Sequence, residues 1–232
     1  KHNNWSLSTD SGENLFKPGK TPYENVQFLL FLSAVIEAVD DYQDLMRISV
    51  ASAGNDHRLG ALEAPPAIIS IFLGDELQEV LNAIETGESY EAHEKVIMDL
   101  GVSLIPKFKK DNTDRNRTSP FAFTGNKFEF RMLGSSASIA ECNTVLNTIV
   151  ANSLKGFSEV LENSEDVFKD AMSLVQKTIK DHKRIIFNGD GYSHEWEEEA
   201  ARRGLSNLKT TPEALNHLLD RKNIEVFEKF GV

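Results

Sequence analysis

The chain has 232 residues, 40% hydrophobic and 26% charged, enough for one large domain or a domain with a helical appendage. A formal net charge of −11 argues against a broad basic surface, so no nucleic-acid partner is expected. The longest apolar stretch, Phe28 to Ala38, is interrupted by Ser33 and Glu37 and falls short of the about 18 residues that span a bilayer, so no membrane partner is expected either. A lone Cys142 allows no internal disulfide, and residues 1–20 contain no apolar leader core, which makes the cytoplasm the expected location.

In chain order, residues 1–8 read as a short strand, followed by a loop from Asp10 to Lys20 that contains Gly12, Pro18 and Gly19. Thr21, Pro22 and Glu24 form an N-cap, first-turn proline and capping-box pattern, and predict a deeply packed helix through the apolar run that follows. Residues 49–66, with two glycines and the Pro65-Pro66 pair, read as a loop. Ala67 to Leu73 reads as a buried strand stopped by Gly74-Asp75. Helices are predicted at Glu76–Glu85 and Tyr90–Leu100, then a charged loop from Lys107 to Thr118. Phe121 to Leu133 has strand character with a turn at Gly125-Asn126. Beyond it helix predominates: Ser138–Leu161, then Ser164–Ile186 with Ser164 as its cap. After a turn at Asn188–Gly191, shorter helices are predicted at Glu195–Arg203, Pro212–Leu219 and Ile224–Phe230.

Three segments carry residues suited to chemistry. In a strand, alternate side chains share a face, so His2, Asn4 and Ser6 line one side and Asn3 and Trp5 the other. An imidazole, an amide and a hydroxyl in a row suit a metal beside a nucleotide, or a polar edge strand. The glycine- and proline-framed loop holding Arg58 and Glu63 could close over a substrate: Arg58 can grip a carboxylate and Glu63 can accept a proton, or the two can pair at the surface. Arg115 and Arg117 precede Lys127-Phe128-Glu129-Phe130-Arg131, whose alternation puts the phenylalanines on a core face. Lys127, Glu129 and Arg131 then share the other, as a ligand surface or a solvated sheet face. His182 and His194 sit among acids, where a solvated helix end and an acidic helix face are the plainer readings.

The order of these segments resembles the glutamine synthetases, and the wording of Lys-His-Asn-Asn-Trp-Ser-Leu-Ser at the start and Asn-Arg-Thr-Ser-Pro-Phe-Ala-Phe-Thr-Gly-Asn-Lys-Phe-Glu-Phe-Arg at 116–131 resembles their type III branch. The resemblance implies an α+β fold: the antiparallel-sheet catalytic core shared by glutamine synthetases and guanido kinases, ending near residue 137, with a mainly helical type III continuation over 138–232. It also implies that the chain is a fragment whose first residue falls inside the ATP and metal segment, and which is inactive by itself. Position by position, His2 and Glu129 match metal ligands, and Ser6 matches a nucleotide-contacting serine. Asn4 stands where many relatives have a nucleotide-contacting histidine. Arg58 and Arg131 match groups that hold the substrate glutamate, Arg117 a phosphate-binding catalytic arginine, and Glu63 the flap glutamate that takes a proton from ammonium. A further phosphate arginine of the family would fall on Ala122. The implied reaction joins ammonia to L-glutamate through γ-glutamyl phosphate at the expense of ATP, with Mg2+ or Mn2+ as cofactor. A ring-based homo-oligomer, a dodecamer in the family, is implied as its assembly. A γ-glutamyl-amine or polyamine ligase, or a non-catalytic relative retaining the fold, are the competing readings.

Overall fold

The computed structural model describes residues 2–61, 64–88 and 118–232, together with the backbone of 97–98 and 108–109. A small sheet and a set of long helices share one apolar cluster. Strand β1 (Asn3–Trp5) alternates buried, exposed, buried, as its residue pattern predicts. A single 3-10 turn, Pro22–Glu24, then leads into helix α1 (Val26–Asp41). The predicted cap is corrected here: Thr21 makes no capping hydrogen bond, and Asn25 accepts from the Phe28 amide at 3.0 Å. The same Asn25 amide donates to the carbonyls of Lys17 and Pro18, so one side chain closes the preceding loop and starts the helix.

Helix α1 is buried on nearly every side, and its aspartate-rich end runs into α2 (Gln43–Ile48). The stretch read as a loop over 49–66 contains a further short helix, α3 (Ala53–Arg58). Ser52 caps it by accepting from the Asn55 amide. Six residues carry too little apolar periodicity to announce a helix. Only Ile71–Phe72 of the predicted strand over 67–73 enters a ladder, as β2, although the whole stretch is buried. Helix α4 (Asp75–Thr86) follows, ended by Gly87 in the left-handed region at φ 76°. The helix predicted over 90–100 lies outside the described residues except at Ile97–Met98, which is extended (β3) and pairs antiparallel with β4 (Phe108–Lys109).

Strands β5 (Phe121–Phe123) and β6 (Phe128–Phe130) form the predicted hairpin, with Gly125 at φ 96° in its turn. The sheet order is β1-β6-β5-β2: antiparallel throughout, except that β2 runs parallel to β5. One face is aromatic. Phe121 stacks on Phe128 at 4.8 Å, and Phe128 also touches Trp5, Phe16 and Phe123, each such pair adding about 0.5–1.5 kcal/mol beyond area burial.

The remaining helices are α5 (Ala140–Leu161), α6 (Val167–His182), α7 (His194–Arg202), α8 (Thr211–Leu215) and α9 (Arg221–Phe230). Asp166, not Ser164, caps α6; Ser164 instead bonds the Asp170 carboxylate at 2.6 Å. Helices α5 and α6 lie against α1, and one apolar cluster runs from Trp5 to Val226. Among the described residues, no helix is long and apolar enough to cross a membrane.

Candidate metal and substrate face

The aromatic face of the sheet fixes what its other face presents. Asn3 and Trp5 point inward, where Asn3 donates to Asn143 at 2.7 Å and to the Cys142 sulfur, and the Trp5 indole donates to Asn147 at 2.9 Å. These bonds tie β1 to α5, so the intervening Asn4 must face outward, with His2 and Ser6 also exposed beside it. The register sets Asn4 directly opposite Glu129, and Glu129 directly opposite Ala122 on β5. His2 Nδ1 lies 3.8 Å from Glu129 Oε2, and that oxygen also accepts from Nε and Nη2 of Arg131 at 3.3 and 3.1 Å. Arg131 further donates to the buried Thr118 hydroxyl at 3.3 Å.

The His2 pKa is lowered: burial against its neighbours acts first and the charge of Arg131 adds to it, together outweighing the attraction of Glu129. A neutral imidazole is the form that binds metals. Two ligand atoms held at about 2.1 Å by one hard cation are at most about 4.2 Å apart. The 3.8 Å separation of His2 and Glu129 therefore fits two corners of one divalent site. An imidazole nitrogen with a carboxylate oxygen is a donor set that Mn2+ accepts and Mg2+ tolerates.

Arg58, at the end of α3, reaches the same end of β6. Its Nη2 donates to the carbonyls of Met132 and Leu133 at 2.7 and 3.0 Å, and its Nε to Asn55 at 3.0 Å. Asn55 is buried and braces this corner through Val50 and Met132. The residue order gave no sign of its role.

Ser6 lies at the opposite end of the face. Its hydroxyl donates to the Asn126 carbonyl at 2.9 Å and accepts from Asn14, knotting the loop after β1 to the hairpin turn. A cleft of about 770 Å³ opens beside this knot, with Asn14, Lys17, Gln27, Thr124 and Asn126 among its lining. The Gly125-Asn126 pair reads from sequence only as a turn; its place at a cleft follows from β1 packing alongside.

Residues 170–232 match the glutamine synthetase C-terminal domain. Over 236 residues, 100% of this chain, the sequence is 54% identical to the type-3 glutamine synthetase of Dictyostelium discoideum, covering 32% of that protein. It is 50% identical over 243 residues to a glutamine synthetase of Butyrivibrio fibrisolvens, covering 100% of this chain and 33% of the relative. It is also 50% identical over 230 residues to one of Bacteroides fragilis (strain YCH46), covering 96% and 32%. Over its whole length the chain is similar to glutamine synthetases. It spans about a third of the length of the curated relatives it matches.

Of the residues that the glutamine synthetase resemblance singles out, His2, Asn4, Glu129 and Arg131 share one sheet face, Arg58 abuts its end, and Ser6 stands at the other end by the cleft. Glu63, Arg115 and Arg117 lie outside the described residues. Ala122, where a further phosphate arginine would fall, is fully buried beside Glu129. His182 does not sit at a solvated helix end. It is 2.9 Å from the buried Asp40, which also takes two bonds from Arg184, because α6 packs against α1 there. Asp41 lies beside that pair, and a second group joins Asp44, His217 and Asp220. Each already holds a protein cation, Arg184 on Asp40 in the first and Lys222 on Asp44 in the second. His194 is exposed on α7, facing Glu198, as its acidic surroundings suggest.

Proposed function

We propose that this sheet face handles metal and glutamate in an ATP-dependent ligase that joins ammonia to L-glutamate through γ-glutamyl phosphate, releasing ADP and phosphate, in a polypeptide of the relatives' full length. The observation that carries the reading is the His2–Glu129 pair at 3.8 Å with Arg131 on the same carboxylate and Arg58 at the strand end. Mg2+ or Mn2+ held there would supply positive charge to phosphate oxygens. Asn4 and Ser6 are the nucleotide contacts, and from His2 to Ser6 is four residues of extended chain, about 13 Å, a length that suits a nucleotide lying from the metal pair to the cleft.

In this reading Arg131, oriented by Glu129 and Thr118, meets the carboxylate of the amino-acid substrate. Arg58 meets it from α3 through Nη1, which has no hydrogen-bond partner among the described residues. Arg117 balances the negative charge that spreads over the transferring phosphoryl group. Glu63 takes a proton from ammonium while its loop keeps water from the acyl phosphate. The assembly is a ring-based homo-oligomer, a dodecamer, working in the cytoplasm.

Product analysis of the full-length protein with glutamate, ATP and either ammonia or a primary amine tests the reaction. Glutamine from ammonia is the expected product; a γ-glutamyl amide made only from the amine would overturn it. Glu63→Ala should lower glutamine formation by about a hundredfold while ATP binding stays close to wild type.

A further inference from the structure

The short helix that carries Arg58 is held from two sides by different parts of the molecule. Asn55 and Arg58 dock on the segment just after β6: Arg58 on the Met132 and Leu133 carbonyls, Asn55 on Met132. Its middle residue, Asp56, is gripped from the other side. Arg47 Nη2 donates to Asp56 Oδ1 at 2.7 Å, while the Thr211 amide donates to Oδ2 at 2.6 Å and the Thr211 hydroxyl to Oδ1 at 3.0 Å. Arg47 is 1% exposed and also donates to the carbonyls of Leu208 and Lys209. Thr211 is in turn fixed as the first residue of α8, whose capping box joins Thr210 and Glu213.

A buried guanidinium is tolerated only when paired, so Arg47 and Asp56 depend on each other. A helix of six residues is too short to be stable by its own hydrogen bonds. Its position is therefore set by its clamps, and Arg58 follows that position. Burial pushes the Asp56 carboxyl up, but the bonds from Thr211 and Arg47 outweigh it, and the net shift is downward, which keeps the carboxylate charged at neutral pH.

We propose that Arg47, Asp56 and Thr211 are positioning residues for substrate binding: through this junction, the 208–211 segment of the C-terminal region sets the placement of the Arg58 guanidinium. The proposal rests on Arg58 being a carboxylate-binding group, as inferred above. The junction contacts no substrate itself.

The test uses the full-length enzyme and separates the KM for glutamate from the KM for ATP and from kcat. Asp56→Asn should raise the glutamate KM about tenfold with the ATP KM held within about twofold. Thr211→Val should give about a threefold rise, and Thr211→Ser, which keeps the hydroxyl, should restore wild-type behaviour. In an Arg58→Ala background, Asp56→Asn should add nothing further to the glutamate KM, since it acts only through Arg58. An unchanged glutamate KM in folded Asp56→Asn, an equal rise in both KM values, or additivity with Arg58→Ala would each overturn the proposal. Should Asp56→Asn fail to fold, the Thr211 pair decides by the same criteria. An unaltered glutamate KM in Arg58→Ala alone would remove the role of Arg58, and the junction's role with it. A raised KM there with no effect from Asp56 or Thr211 removes only the junction's.

Discussion

Two of the histidine–carboxylate pairs among the described residues have opposite characters. His2 and Glu129 lie 3.8 Å apart across two strands, with the His2 side chain 52% exposed and its pKa lowered. His182 and Asp40 lie 2.9 Å apart between two helices, with Asp40 2% exposed and the His182 pKa raised. The difference lies in what else each carboxylate holds. Asp40 is filled by the Arg184 guanidinium and the His182 ring, and its pair closes on itself as a strut between α1 and α6. Glu129 holds one guanidinium on one oxygen, beside a neutral imidazole that faces solvent. Residue type alone does not make a metal site; a ligand with spare coordination and an open side does.

Breaking each pair should therefore give different failures. The largest effect is expected for Glu129→Ala, which should raise the divalent-metal concentration needed for half-maximal activity by roughly a hundredfold. Its melting transition should move little, within about 0.5 kcal/mol. Asp40→Ala should do the reverse, destabilising the fold by about 2 kcal/mol in denaturant titration while leaving the metal requirement of the folded fraction unchanged.

The helical pair should also carry a pH signature. The Asp40 hydrogen bond raises the His182 pKa above its ordinary 6.5, opposed by desolvation and helped by Asp41. A group whose folded pKa is raised gives its full stabilisation below the unfolded value and loses it as pH rises through the folded one. Stability should decline above about pH 6.5, and His182→Gln should flatten that decline in melts run at several pH values. Glu37 and Asp41, raised first by burial, act in the same sense at lower pH. The smallest effect is expected for Asn147→Ala. Loss of its bond to Trp5 should cost about 1 kcal/mol and weaken metal affinity only a few-fold, by loosening the strand that bears His2.

The two pairs were unequally legible in the sequence. The alternation of His2 to Ser6 and of Lys127 to Arg131 names the outward face of each strand, because the period of two is a local property. That the two strands are neighbours, in the register that sets Asn4 against Glu129, is a tertiary fact that alternation does not contain. His182 sits among Asp181, Lys183 and Arg184, which reads as a solvated end. The residue that buries it, Asp40, is 142 positions away. Thr21-Pro22-Tyr23-Glu24 has the capping-box spelling, yet Asn25 caps α1, through contacts to the preceding loop that the spelling does not show. The junction at Arg47, Asp56 and Thr211 had no local signature, since its three residues come from three helices.

The central claim is that the strand pair, and not the helical pair, takes the metal. Counting Mn2+ bound per chain by electron paramagnetic resonance, in the full-length protein and its His2→Ala and His182→Ala variants, tests it most directly. The account predicts that His2→Ala loses or weakens one class of Mn2+ site while His182→Ala keeps the wild-type isotherm. An unchanged isotherm in His2→Ala, or an equal loss in His182→Ala, would contradict it.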